Sequence, residues 1–353
     1  MDFTKLQNFA KNNGPIMVTG HSGFKGSWLG LILDYLEIDW IGYSLNEDIN
    51  WIDTHRAIND KKNAEDFNIL DRQRLRDVMN NNGVSAVIHL AARPLVLESY
   101  LDPTEFFSTN IIGTSTVIET SLDSSSCKMV GIVTTDKVYA NNNNGRHFIE
   151  TDKMWGNEPY SASKVGAELV TESWHKVAEF RGIPMAMRIF RSGNVIGGGD
   201  FAKNRLAPDL VRAYMARKSC EIRNPLSTRP WLHVIEPLVG YLLGLQDCIG
   251  KSDLDAFNFG PKEKGIPVQD FAELFNQILE NQIGATVVSS DDYLESKFLG
   301  IDSSKSVKSL GWTPKLSQED SIVWTAKWWN KYLAGEMSVE SLIKEDILKY
   351  FNS

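Results

Sequence analysis

Apolar positions along the chain fall into two alternating patterns. Continuous runs of strand length occur at Pro15-Ile16-Met17-Val18-Thr19, Trp40-Ile41-Gly42-Tyr43, Phe67-Asn68-Ile69, Ala86-Val87-Ile88-His89-Leu90, Met129-Val130-Gly131-Ile132-Val133 and Met185-Ala186-Met187-Arg188-Ile189-Phe190. Between them, apolar residues recur at helical spacing over 27–36, 71–79, 104–121, 160–181 and 206–216, and a short polar helix over 5–14 leads in. Continuous apolar strands are those buried on both faces, and strand–helix alternation predicts a right-handed, doubly wound parallel α/β sheet. Trp312, Trp324, Trp328 and Trp329 near the end read as core and cap packing, and His89 at a strand end as a buried structural histidine.

The first strand runs straight into Gly20-His21-Ser22-Gly23-Phe24-Lys25-Gly26, with glycines three apart. Gly20 allows a tight turn, Gly23 lets backbone approach a pyrophosphate, and Gly26 lets the next helix pack close while its N-terminus faces the phosphate charge. This predicts a bound dinucleotide and a Rossmann sheet; no Gly-Lys-Ser/Thr ending makes it a P-loop. The second strand ends in Ser44-Leu45-Asn46, with Glu47 and Asp48 slightly further on, so the choice between NAD and NADP is poorly marked. Asn68 reads equally as an adenine contact or a strand-end polar residue, and Ala91-Ala92 are small enough for a cofactor to lie against them.

The candidate chemistry sits between Met129 and Lys164. Thr135, Asp136 and Lys137 fall at the carboxyl end of a strand, where open α/β sheets place their ligands. Tyr160 and Lys164 are four apart, on one face of a helix beginning near Pro159. A phenol beside a fixed ammonium should ionise below its usual value of about 10 and serve as a general base toward an alcohol. Four glycines in Gly193-Asn194-Val195-Ile196-Gly197-Gly198-Gly199 imply a loop following a ligand closely, and Arg223 and Arg229 beside prolines suggest a diphosphate clamp.

Composition narrows the classes. A chain of 353 residues with 42% hydrophobic and 23% charged residues can bury a sizeable core. Its net charge of −8 argues against nucleic acid or an anionic membrane as partner. No apolar run spans a bilayer and the opening residues form no signal peptide, so a cytoplasmic protein is expected. Cys127, Cys220 and Cys248 fit reduced thiols, and the scattered histidines predict no metal.

Several strings together resemble the extended short-chain dehydrogenase/reductase family, and within it the nucleotide-sugar 4,6-dehydratases of the CDP-glucose type. They are Thr19-Gly20-His21-Ser22-Gly23-Phe24-Lys25-Gly26-Ser27-Trp28, His89-Leu90-Ala91-Ala92, Asn110-Ile111-Ile112-Gly113-Thr114, Thr135-Asp136-Lys137-Val138-Tyr139, Tyr160-Ser161-Ala162-Ser163-Lys164, Gly193 to Asp200, Thr228-Arg229-Pro230-Trp231 and Leu310-Gly311-Trp312-Thr313-Pro314. Departures are Asn68, where the family carries Asp, the asparagine run 141–144, the loop 93–100 and the neighbours of His233.

The resemblance implies a Rossmann domain over 1–194 and about 235–260, with a smaller C-terminal α/β substrate domain over 195–234 and 261–353. NAD would lie against Gly20, Ser22, Gly23, Phe24, Lys25, Gly26, Asn68, Ile69, Leu90, Ala91, Ala92, Asn110, Thr134, Tyr160 and Lys164. The nucleotide sugar would meet Arg93, Asn194, Arg205, Leu206, Arg223, Arg229 and His233. Tyr160 with Lys164 and Thr135 would act at C4, Asp136 as the acid at C6 and Lys137 as the base at C5. A homodimer, or else a tetramer, would form through helices 104–121 and 160–181. A 4-epimerase, or a dinucleotide-binding protein without turnover, are the alternatives; the Asp136-Lys137 pair counts against the first, and Tyr160 with Lys164 against the second.

Overall fold

The computed structural model describes residues 1–45, 65–66, 68–143, 145–280, 285–287 and 298–353, so Glu47, Asp48, Phe67 and Asn144 lie outside the described residues. The first part of the chain winds through α1 (Thr4–Asn13), β1 (Ile16–Thr19), α2 (Phe24–Tyr35), β2 (Trp40–Ser44), β3 (Glu65–Asp66), α3 (Arg72–Asn81) and β4 (Ala86–His89). It continues through α4 (Val96–Leu101), α5 (Pro103–Phe107), a π-turn (Ser108–Ile112), α6 (Gly113–Asp123), β5 (Met129–Val133), α7 (Pro159–Arg181) and β6 (Ala186–Ser192). The remainder comprises β7 (Val195–Ile196), α8 (Leu206–Met215), β8 (Cys220–Ile222), β9 (Thr228–Arg229), β10 (Leu232–His233), α9 (Ile235–Asp247) and β11 (Leu254–Phe259). Then follow β12 (Ile266–Pro267), α10 (Val268–Ile278), β13 (Ala285–Val287), α11 (Ser304–Leu310), α12 (Gln318–Leu333) and α13 (Val339–Asn352).

Seven strands form one parallel sheet in the order β11-β6-β5-β4-β1-β2-β3. The order reverses between β1 and β4, and the crevice beyond the carboxyl ends of strands at such a switch is where these sheets bind ligands. Successive strand residues point to opposite faces, and each face has its own core. Ile16, Val18, Ala86 and Ile88 join a large aromatic-rich cluster with Trp28, Phe190, Trp312 and Trp329, whereas Met17, Val87 and Val130 join a smaller aliphatic one with Leu75 and Val117. Trp312, Trp328 and Trp329 are indeed buried.

Four boundaries differ from the expectation. The third strand is Glu65–Asp66 rather than 67–69, and Asn68 instead forms a turn, its side-chain oxygen accepting from the Leu70 N–H at 2.9 Å. Helix 104–121 is interrupted by the π-turn, and the segment 93–100 runs into α4. β6 continues through Arg191 and Ser192, which pair with Asn258 and Phe259. Arg191 is buried and extends the strand past the apolar run that ends at Phe190.

Two helix starts place the chemistry. α2 begins at Phe24 after Gly23, which caps it without a side chain, as a phosphate site requires. Gly20 takes a positive φ of 69°, and a Cβ on Gly26 would lie 2.2 Å from the Gly20 carbonyl oxygen. α7 begins with Pro159, and the Glu158 side chain accepts from the backbone N–H groups of Tyr160 at 2.7 Å and Ser161 at 2.9 Å. Ser161 Oγ accepts in return from the Glu158 N–H, completing a capping box.

Candidate active site

A cavity of about 840 Å³ opens at the carboxyl ends of the strands. Gly20, Ser22 to Gly26, Asn68, Ile69, Leu90, Ala91, Ala92 and Arg93 line one side, and Thr134 to Lys137, Tyr160 and Lys164 the floor. Asn194, Arg205, Leu206, Arg223 and Arg229 line the other side. The residues fit a dinucleotide: a Cβ on Gly23 would meet only the Gly20 oxygen at 3.4 Å, so its backbone is open to the cavity, and the first N–H groups of α2 lack intrahelical acceptors.

Thr135 ends the strand in extended conformation, and its hydroxyl donates to Asp136 Oδ1 at 3.1 Å and accepts from the Lys137 N–H at 3.3 Å. It is also hydrogen-bonded to the Tyr160 phenol. Asp136 is almost fully buried, its Oδ2 has no hydrogen-bond partner, and burial raises its pKa against the opposing charge of Lys137. A buried carboxyl with a free oxygen is suited to carry a proton. Lys137 is half-buried on the cavity wall.

The expected lowering of the Tyr160 pKa is not found. Burial pushes the phenol up to about 12, and the hydrogen bond with Thr135 and the charge of Arg205 oppose this without overcoming it. Lys164 is itself buried and lowered to about 8, and its ammonium donates to the Val133 carbonyl at 3.1 Å. Arg205 is held toward the phenol by Asp200 at 2.9 Å. That pairing escapes a sequence reading because Asp200 ends the glycine loop five residues earlier.

Two further residues stand away from the cavity, and two line it with their side chains engaged elsewhere. Asn110 is not on the cavity; its side chain bonds both backbone groups of Arg93, at 2.8 and 3.0 Å, and Ser163 Oγ at 2.8 Å, so it ties the Arg93 loop to α7. His233 is not on the cavity either. It is fully buried between Trp28 and Trp324, with ring centroids 5.2 and 5.7 Å away, because β10 pairs behind β7. Thr134 borders the cavity, but its hydroxyl is committed to Glu168 at 2.6 Å. The Lys25 side chain turns beneath the glycine turn and donates to Ser192 Oγ at 3.0 Å and the Tyr241 hydroxyl at 3.2 Å. Burial, with the charges of Arg205 and Lys164, lowers it to about 7.

His89 has the structural role expected. It bridges Thr19 Oγ1 at 2.7 Å and Thr114 Oγ1 at 3.1 Å, and burial lowers it to about 3, leaving it neutral. The Thr114 hydroxyl donates to the Asn110 carbonyl, so it accepts from His89 Nε2–H.

Residues 16–260 match the family described as the NAD dependent epimerase/dehydratase family. The chain is 34% identical over 329 residues to the CDP-glucose 4,6-dehydratase of Salmonella typhimurium, covering 91% of this chain and 92% of that protein. It is 24% identical over 349 residues to the human dTDP-D-glucose 4,6-dehydratase, covering 95% of each. In fold it is similar to the crystal structure of DesIV, a dTDP-glucose 4,6-dehydratase from Streptomyces venezuelae with NAD and TYD bound. That likeness has a TM-score of 0.78 at 22% identity and covers 92% of this chain and 99% of that one.

Proposed function

The chain belongs to the NAD-dependent epimerase/dehydratase family, and on that premise we propose that it is a hydro-lyase catalysing the 4,6-dehydration of a nucleotide-activated hexose, CDP-glucose to CDP-4-keto-6-deoxyglucose. The observation that carries this reading is the meeting of Thr135, Asp136 and Lys137 with Tyr160 on one cavity. Reversible oxidation at C4 needs only the tyrosine and lysine, whereas loss of water across C5 and C6 needs an acid and a base besides. NAD, held by the glycine turn and the Ala91-Ala92 backbone, would supply the hydride acceptor for C4 and the hydride donor for C6. Tyr160 takes the C4 hydroxyl proton as the phenolate, which must form against the burial that pushes its pKa up to about 12, and Thr135 hydrogen-bonds the C4 oxygen. The C4 ketone acidifies the C5 proton; Lys137, once it has lost its own proton and become a neutral amine, removes it while Asp136 protonates the departing C6 hydroxyl. The raised proton affinity of buried Asp136 supports its role as the acid. Arg205, Arg223 and Arg229 supply cations for the diphosphate. The 34% identity to a CDP-glucose enzyme favours cytosine over the other bases.

We further assign a homodimer in the cytoplasm. Apolar side chains stand exposed along the expected pairing face, with Phe180 92%, Ile112 56% and Leu169 51% accessible. The three cysteines are free and buried, as a reducing compartment allows, and among the described residues no helix is long and apolar enough to cross a membrane.

The test is incubation with NAD and C4-deuterated CDP-, UDP-, GDP- or dTDP-glucose, followed by mass spectrometry and NMR. Loss of water with deuterium retained at C6 is expected from CDP-glucose. A C4 epimer without mass change would replace the dehydratase by an epimerase, and silence from all four would overturn the reading. In Asp136→Asn, C4 oxidation should persist while dehydration stalls; full product formation would remove Asp136 from the acid role.

A further inference from the structure

Glu168 lies on α7 one helical turn beyond Lys164 and is completely buried. It accepts the Thr134 hydroxyl at 2.6 Å and both arms of a fork from Arg191, whose Nε lies 3.0 Å from each carboxylate oxygen. Arg191 is itself buried and also donates to the Tyr139 hydroxyl and the Glu150 carbonyl, each at 2.9 Å. Tyr139 in turn donates to Asn258 Oδ1 at 2.6 Å. Thus the end of β5, the residue after the Asp136–Val138 turn, α7, β6 and β11 converge on one buried ion pair.

Two contacts run in parallel. Lys164 holds the Val133 carbonyl, and Glu168, four residues on, holds the Thr134 hydroxyl. Consecutive residues of the strand that ends in Thr135 are therefore fixed by consecutive turns of the helix that begins with Tyr160.

We propose that Glu168 is a positioning residue for the Tyr160–Lys164 pair: its carboxylate sustains the charge on Lys164 and locks the strand end before Thr135, while Arg191 holds the carboxylate in place. This rests on the reading of Tyr160 and Lys164 as the pair acting at C4. Burial works against the Lys164 ammonium, and Glu168 is the charge that acts in the opposite direction. Lys25 on α2 and His89 on β4 also sense the Lys164 charge, and neither supplies a negative one. On the far side of Glu168, Arg191 completes the ion pair and donates to the Tyr139 hydroxyl.

The test titrates Lys164 in cofactor-free protein by NMR of ε-carbon-labelled lysine, its resonance identified by its loss in Lys164→Arg. The pH profile of kcat/KM for the nucleotide sugar is measured alongside. In Glu168→Gln the Lys164 midpoint should fall by about one pH unit, and kcat should fall while KM holds. Glu168→Asp, which keeps the charge, should return the midpoint to the wild-type position. An unchanged midpoint in Glu168→Gln would overturn the electrostatic role. Should Glu168→Gln fail to fold, a midpoint displaced in Glu168→Asp would overturn it equally. Thr134→Val, which spares every charge, should lower kcat with the midpoint unmoved; full kcat there would overturn the strand-locking role. If the wild type transfers no hydride from any nucleotide hexose, the proposed reaction fails, while the cofactor-free titration still decides the role of Glu168.

Discussion

Two buried polar networks flank the catalytic strand, and they are built on opposite principles. On the β1–β4 side, Thr19, His89, Thr114, Asn110 and Ser163 form a chain of neutral hydrogen bonds. On the β5–β6 side, Thr134, Glu168, Arg191, Tyr139 and Asn258 surround a full ion pair. Both join strand ends to helices, so both can rigidify. A neutral network adds little field of its own, which suits the side expected to cradle a cofactor. The charged network sets the electrostatics of Lys164, which suits the side that must move protons. Placing charge in a core costs desolvation, and the contrast locates where the fold tolerates that cost.

The comparison can be broken most severely on the charged side. Arg191→Met strands the Glu168 carboxylate and should cost about 3–5 kcal/mol, read as a lowered denaturation midpoint. The double variant Arg191→Met with Glu168→Leu should recover most of that loss, because no uncompensated charge remains. The neutral side should fail first in acid. His89 titrates near 6.5 when unfolded but is held to about 3 in the fold, so the unfolded chain binds the proton first. Stability from this group is therefore present above about 6.5 and lost as the pH falls toward about 3, at about 1.4 kcal/mol per pH unit. His233, also held to about 3, adds to the same window, so His89→Asn should flatten the acid limb of the melting curve only in part. Thr114→Val removes the acceptor of His89 Nε2–H and should cost about 1–3 kcal/mol. Ser163→Ala, which removes one of several bonds to Asn110, should cost about 1 kcal/mol and weaken the Arg93 loop most.

The parts legible in the sequence are those whose chemistry is local. The glycine turn, the Thr135–Lys137 string and the Tyr160–Lys164 spacing each lie within one loop or one helix turn, and the cavity gathers all of them. Residues whose role depends on a distant partner were misread. His233 points toward Trp28 and Trp324 only because β10 pairs with β7, and Asn110 serves the Arg93 backbone seventeen positions away. Arg191 reads as part of a loop because it follows the apolar run and adjoins the glycine-rich string, and its buried partner Glu168 stands 23 positions earlier. Even so, the four-residue step from Lys164 to Glu168 repeats the step from Tyr160 to Lys164, and that periodicity was visible. The behaviour of Tyr160 was not, since burial and Asp136 outweigh a neighbour at helical spacing.

The capping box at the head of α7 carries a consequence for how the protein responds to heat. Tyr160 occupies the first turn, the part of any helix that unwinds most readily, and a helix turns about 100° per residue. A slip of one position at this terminus would swing the phenol out of line with Thr135 while leaving the body of the helix intact. Glu158, clasping the Tyr160 and Ser161 amides, holds that turn in register. The activity of Glu158→Ala, followed against temperature beside its melting curve, should therefore fade on warming well before the protein melts.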